Sequence, residues 1–307
     1  MERFNTRDES LMCAVRGFLL HLKATGRAPS TMECYLRELN FVVKILGDMP
    51  LNHITVQHLE QALLLRGGAG FPTTTLSPLT MNRIKSAYRS FFRWTWETGR
   101  TVSNPGACLR MGKTKPRFTQ PISQEEVKRL LETIASSGDP HAGRDMALFS
   151  VYAFSGIRRA EALALRVVDY CPDLRALNIC RAKGGQIRIQ PVPARLAKIL
   201  EQYIARLYFR HRLSEITPLF PGRYPDRPLS ARQANERFEK WKSLANIRDR
   251  ITIHSFRAGF ATALYRTTRD LLVVARALGH KDVRTTEKYI STDIAGIRKS
   301  IEGAFPE

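Results

Sequence analysis

The sequence predicts a mainly α protein of two domains, with one small β-hairpin in the second domain. Apolar residues recur at helical spacing over most of the chain, and a proline-rich basic stretch without any apolar period interrupts them after residue 110. Two short alternating runs flank Gly184-Gly185. At 307 residues the chain is too long for one ordinary core and suits two domains of roughly 100 to 200 residues each. Its 43% hydrophobic content is enough to fill both.

In the first third, "LMCAVRGFLLHL", "STMECYLRELNFVVKIL", "TVQHLEQALLL" and "LTMNRIKSAYRSFFRWTW" each carry the helical period, giving four helices. Ser30 or Thr31, Thr55 and Thr80 are the expected N-caps of the last three, because a hydroxyl there can accept from the free N–H groups of a first turn. "GGAGFPTTTLSP" between the third and fourth helices is rich in Gly, Pro and Thr and is expected to be a mobile loop. The domain boundary is expected in "SNPGACLRMGKTKPRFTQP", where prolines and basic residues follow one another. The expected division is a helical domain over 1–110, a basic linker over 111–121 and a second domain over 122–307. In the second domain Ser123 and Glu126 have capping-box spacing ahead of an apolar helix. Helical patterns at 140–155 and 158–166 precede "ALNICRAKGGQIRIQPV", the expected hairpin. Helices resume in "PARLAKILEQYIARLYFRH", "ARQANERFEKWKSLA", "HSFRAGFATALY", "RDLLVVARALGH" and "VRTTEKYI".

The 49 Lys and Arg against 28 Asp and Glu give a formal charge of +21. Such a surplus costs self-repulsion unless a polyanion offsets it, so nucleic acid is the expected partner. Residues 1–110 contribute +6, residues 111–117 contribute +3 and residues 118–307 contribute +12. No single tail carries the charge, which argues against a neutral body with a basic arm. The five cysteines form no CxxC pair and are expected to be reduced thiols. No apolar run reaches the roughly 18 residues of a membrane span, and the amino terminus is charged from its second residue, so a cytoplasmic, nucleoid-associated protein is expected.

Three segments of the second domain place charged groups where packing does not ask for them. "SGIRRAEALAL" puts Arg158 just after Gly156 at a helix start, with Glu161 one turn later. "HSFRAGF" puts His254 and Arg257 on one face of another helix start, where free N–H groups favour an anion. "LGHKDVRTTEKYI" puts His280 after Gly279, and Tyr289 two turns beyond an expected Asp282 cap. Lys183 is carried to the hairpin tip. Each also has a plain structural reading: Arg158 pairing only with Glu161, His254 a satisfied core histidine, Lys183 a solvated turn residue, Tyr289 a half-buried packing residue. Together they suit one task. The transition state of phosphodiester cleavage gathers negative charge on the nonbridging oxygens, which arginine forks and a histidine can meet. Tyr289 and Lys183 are then available as nucleophile and proton donor; a tyrosine with a free pKa of roughly 10 needs such cationic surroundings to attack. The scattered histidines and the lack of a carboxylate cluster weigh against a two-metal nuclease.

Arg158 in "SGIRRAE", Lys183 in "AKGGQIRIQPV", His254 and Arg257 in "HSFRAGFAT", His280 in "LGH" and Tyr289 in "TTEKYI" resemble, in order and spacing, the tyrosine recombinase/integrase family. The helical first third, with "TLSPLTMNRIKSAYRSFFRW", is similar to that family's core-binding domain. The resemblance implies a two-domain DNA clamp and a site-specific recombinase that cuts and rejoins DNA through a 3′-phosphotyrosine link, without ATP or a metal. It implies that Tyr289 attacks, that Arg158, Arg257 and His280 hold the phosphate, that His254 assists proton transfer, and that Lys183 protonates the leaving oxygen. Glu161 matches a supporting position. The implied partners are double-stranded DNA with paired inverted half-sites, three further copies of the chain in a tetramer on two DNA sites, and accessory or directionality proteins.

Two positions depart from the commoner family pattern: Ala258, where many members have a second histidine, and Gln186, where a second lysine is commoner. The chain starts almost directly with core-binding helices, so a simpler Xer-like or Cre-like recombinase, or that of a mobile element, is expected rather than one with an arm-binding domain. The rivals are a telomere resolvase or topoisomerase with the same chemistry, and a noncatalytic DNA-binding regulator on a recombinase fold. All six reactive positions are filled, as a decayed regulator would not require. After Tyr289, Ile294, Ile297, Ile301 and Phe305 recur at helical spacing and give the tail one apolar face, which either folds back on its own domain or, as the resemblance implies, docks into a neighbouring protomer.

Overall fold

The computed structural model describes residues 9–66, 76–114, 119–180, 188–210 and 214–280, with Arg210 by its backbone only. The chain divides into two compact units, Met1–Pro116 and Arg117–Glu307.

The first unit contains α1 (Leu11–Ala24), α2 (Pro29–Leu46), α3 (Val56–Arg66) and α4 (Pro78–Glu97). Their apolar stripes meet in one core holding Leu11, Phe18, Leu39, Leu59, Tyr88, Phe91 and Phe92. Phe18 and Phe91 meet edge to face at 5.5 Å, the arrangement aromatic quadrupoles favour. Thr55 caps α3 as expected, its Oγ1 accepting from the His58 N–H at 3.5 Å. Two expected caps need correction. α2 starts earlier than Ser30 or Thr31 implies: Pro29, with its preset φ, takes the first turn behind Ala28, which makes no side-chain cap bond. α4 likewise starts at Pro78, so Ser77 is the cap and accepts from the Thr80 N–H at 3.3 Å. In both cases the proline sets the start. Residues 67–75, most of the expected loop, lie outside the described residues.

The second unit opens with α5 (Gln124–Ala135), whose capping box is formed as the spacing predicts: Ser123 Oγ accepts from the Glu126 N–H at 3.1 Å and Glu126 Oε2 from the Ser123 N–H at 2.9 Å. Then come α6 (Ala142–Ser155), α7 (Arg159–Leu163), β1 (Tyr170–Cys171), β2 (Ala176–Ile179), β3 (Arg188–Pro191), α8 (Ala194–Arg210), α9 (Ala231–Leu244), α10 (Ile253–Thr268) and α11 (Leu271–Leu278). α6 is the axis of this unit, because Ala147, Leu148, Phe149, Val151 and Tyr152 are buried on every side of it, and α5, α8 and α10 pack around it. Its buried Asp145 accepts from Arg144, Arg237 and the Trp241 indole at 2.8 Å, which ties α6 to α9. A buried carboxylate left without such partners would carry a large desolvation cost.

The hairpin forms in the expected place. β2 and β3 pair antiparallel with Ile179 opposite Arg188 and Leu177 opposite Gln190, while its tip, residues 181–187, lies outside the described residues. β1 adds a third strand that the sequence did not announce, since two residues are too few to show alternation. All five cysteines are free thiols. Among the described residues no helix is long and apolar enough to cross a membrane.

Candidate active site

Arg158 and His280 sit just beyond helix ends and Arg257 in the first turns of α10, and two glycines make those helix ends possible. α6 stops at Gly156, whose φ of 62° is left-handed; a Cβ there would also lie 2.3 Å from the Phe260 ring. Two residues on, Arg158 holds extended backbone and caps α7. Its Nη1 donates to Glu161 Oε1 at 2.8 Å and its backbone N–H to Oε2 at 2.9 Å, while 33% of the side chain stays exposed. The pairing with Glu161 is therefore real, and it leaves part of the arginine at the surface.

Glu161 is buried, and burial alone would raise its pKa. The Arg158 hydrogen bonds, with the charges of Arg188 and Arg158, outweigh this and hold the carboxyl below its ordinary value. Arg188, at the start of β3, donates from Nη2 to Glu161 Oε2 at 3.1 Å and from Nη1 to the Ala277 carbonyl at 3.1 Å and to Gln190 Oε1. It thus bridges the hairpin, α7 and the last turn of α11.

That last turn ends at Gly279, with φ 64°. A Cβ there would come within 2.8 Å of Arg188 Nε, so glycine answers both the backbone conformation and the close passage of the arginine. Arg257, buried in the first turns of α10, closes the circuit: Nη1 donates to the Gly156 carbonyl and Nη2 to the Leu278 carbonyl, both at 2.7 Å. Its Nη2 is also 2.9 Å from His280 Nε2. The contacts form a ring, from Arg158 through Glu161 and Arg188 to the end of α11, then through Arg257 to Gly156 and back to Arg158. His254 lies one helical turn before Arg257, at the exposed start of α10.

The structure thus brings Arg158, Glu161, Arg257 and His280 together through shared partners, with His254 on the helix that carries Arg257. Lys183, Tyr289, the expected Asp282 cap and the tail from Ile294 to Phe305 lie outside the described residues. Among the described residues no group of three or more His, Cys, Asp and Glu side chains is placed to hold a metal ion.

Arg188 is the residue that sequence reasoning missed. The signal was an inverted strand face: in β3 the apolar Ile189 is 61% exposed, while Gln190 is 4% exposed and the Arg188 side chain 17%. A run read only for its apolar face assigns those residues the wrong way round.

Two arginines and a histidine held by shared partners in a mainly helical basic protein form a cationic arrangement suited to an anionic group such as a phosphate. The phage integrase family matches residues 120–295, and the phage integrase N-terminal SAM-like domain matches residues 15–99. The tyrosine recombinase XerC of Chromobacterium violaceum is 27% identical over 295 residues, covering 95% of this chain and 94% of that protein. The same fold is found in XerH site-specific recombinase bound to a palindromic difH substrate in a post-cleavage complex, with TM-score 0.69 and 17% identity over 95% of each chain. It is found again in a lambda integrase tetramer bound to a Holliday junction, with TM-score 0.68 and 18% identity over 92% of this chain and 78% of that one. The chain belongs to the phage integrase family. Its activity is site-specific DNA recombination of the tyrosine type.

Proposed function

We propose that the reaction runs through Tyr289, whose hydroxyl oxygen attacks the scissile phosphate, breaks the bond to the 5′ oxygen and leaves a 3′-phosphotyrosine link with a free 5′-hydroxyl. Arg158, Arg257 and His280 hold the phosphate and offset the charge gathered on its nonbridging oxygens. His254 assists proton transfer, and Lys183 delivers the proton that the departing 5′ oxygen takes up. A 5′-hydroxyl of the partner strand reverses these steps, so the phosphodiester bond energy is kept in the covalent link and no high-energy cofactor is required. The observation that carries this reading is the ring joining Arg158, Glu161, Arg188, Arg257 and His280, since catalysis by positioning needs donors fixed before the charge develops.

In this reading residues 1–110 act as the core-binding domain, 111–121 as a basic linker and 122–307 as the catalytic domain, both domains holding DNA. The charge of +6 in the first and +12 over residues 118–307 supports contact by both. Two copies on paired inverted half-sites, and four on two DNA sites, are the working assembly, with the tail after Tyr289 docking on a neighbouring copy. The lambda integrase tetramer on a Holliday junction supports this arrangement by its fold alone.

The test is a nicked suicide substrate drawn from the DNA flanking this gene, incubated with protein in the absence of added divalent metal. A covalent adduct is expected with the native chain and none with Tyr289→Phe, which loses a single hydroxyl and retains DNA binding. An adduct that persists in Tyr289→Phe, or that forms only with magnesium, overturns the assignment.

A further inference from the structure

The first unit contains a second convergence of arginines, far along the sequence from the reactive residues. Glu38 of α2 is completely buried. Arg37 Nε donates to its Oε1 at 3.0 Å, Arg66 Nε at the end of α3 to its Oε2 at 3.1 Å, and Arg83 Nη2 of α4 comes within 4.0 Å of Oε1. Three helices thus bring a guanidinium to one carboxylate. Tyr88 packs close by, fully buried; burial and the charge of Glu38 both hold its hydroxyl neutral, so the carboxylate has a dry and fixed surrounding.

One arginine would serve to compensate a buried carboxylate, and further arginines that remain largely in water add little to stability. Yet Arg37 and Arg83 keep 53% and 55% of their side chains exposed, and Arg66 keeps 32%. Three guanidiniums against one carboxylate leave a formal surplus of two positive charges, and among the described residues no other carboxylate lies within 4.0 Å of any of the three. Like charges held together in this way repel one another unless an anion arrives. Glu38 accepts from Arg37 and Arg66 through Nε, while Arg37 Nη2 donates to Cys34 Sγ at 3.7 Å and the Arg66 guanidinium lies 4.8 Å over the Phe41 ring; the exposed parts of these planar forks suit phosphate oxygens.

We propose that Arg37, Arg66 and Arg83, set in place by buried Glu38, form a phosphate-binding site of the first unit that takes the DNA backbone and is blind to base sequence. The proposal rests on the reading of this protein as a DNA recombinase and adds a particular contact to it. Shared attachment to one carboxylate keeps the guanidiniums close enough to address one backbone phosphate or two in succession. The contact fixes register without reading bases.

The experiment measures binding of the full chain to a short mixed-sequence duplex over a range of salt concentrations. For a double Arg37→Ala, Arg83→Ala variant the log-log salt slope should fall by about one to two units, at roughly 0.9 for each phosphate that is no longer neutralised. The corresponding double lysine variant, which keeps the charge but not the fork, should recover most of the slope. Arg16→Ala, which removes one exposed arginine from α1, should leave it unchanged. An unchanged slope in the alanine variant overturns the proposal even if the melting temperature falls, because the arginines are then structural. An unchanged slope with loss of subunit assembly on DNA, read by light scattering, also overturns it and assigns the cluster to a neighbouring copy. A slope equally lowered by Arg16→Ala overturns it too, since the cluster would have no special place in binding. If the alanine double does not fold, Arg83→Ala alone is read in the same way, its contact with Glu38 being the longest of the three. Native protein that fails to bind the duplex at low salt would instead count against the recombinase reading itself.

Discussion

Glu38 in the first unit and Glu161 in the second are both buried carboxylates met by arginines from separate elements, and the arginines continue in opposite directions. Around Glu38 they come from three helices and two of them remain more than half exposed. Around Glu161 one partner, Arg158, is one-third exposed, while Arg188 turns inward and spends its donors on Ala277 and Gln190. A buried carboxylate therefore serves as an anchor in both units, and what it anchors depends on where the remaining guanidinium edges lead. Edges left in water make a place for a polyanion; edges returned to backbone carbonyls make a tie between elements. The first arrangement should govern affinity, the second the rate of chemistry.

That difference is open to measurement. The largest effect belongs to the hairpin carried by the second unit. Lys183→Ala should slow cleavage by roughly 100-fold or more, the scale of general acid catalysis, and a 5′-bridging phosphorothiolate should restore much of the rate by supplying a better leaving group. Equal impairment on both substrates would make Lys183 a binding residue. Next is Arg188→Ala, expected to lower cleavage at saturating DNA by about 10- to 100-fold, since misplaced catalytic groups cost on that order. Its affinity for DNA should change little; a loss of affinity with an unchanged saturated rate would place Arg188 with the arginines of Glu38 and dissolve the contrast.

Gly279→Ala tests the same tie from the other side. A left-handed residue with a Cβ costs about 1 to 2 kcal/mol, and here the Cβ must also displace Arg188. Thermal unfolding should drop by several degrees and cleavage should fall along with it. A variant that melts earlier but cleaves at the native rate would show that Arg188 can move without consequence.

The smallest effect concerns Glu126, whose capping carboxylate is held at about 2, from an ordinary 4.5, chiefly by hydrogen bonds from Arg248. A lowered carboxyl pKa stabilises the fold above the unfolded value and is lost as pH falls through the folded one. The melting temperature of Arg248→Ala should lie below that of the native chain near neutral pH, with the gap closing as pH falls from 4.5 towards about 2. A gap that stays constant would mean Arg248 acts by packing. Because this pair touches neither arginine cluster, it measures what a carboxylate and arginine contribute with no functional role.

Much of the architecture was legible because helices announce themselves locally. The 3.6-residue period and the Ser123 and Glu126 capping box depend on neighbours within a few residues, so they survive in the string of letters. Among the described residues, cap positions slipped only where a proline took the first turn, at Pro29 and Pro78. The short strand β1 gave no sign because it exists only as a partner of β2.

The sequence by itself determined a basic, mainly helical chain of two parts and the set of residue types around Arg158, Arg257 and His280, since charge, period and order along the chain are one-dimensional properties. Only the tertiary structure decided that Arg188 joins them, that Gly156 and Gly279 must lack a side chain, and that Glu38 gathers arginines from three helices. Arg37 beside Glu38 excepted, each of those facts rests on residues some 27 to 104 positions apart. Burial is what gives them force: a carboxylate or guanidinium taken out of water must find its partner in space, wherever in the sequence that partner happens to lie.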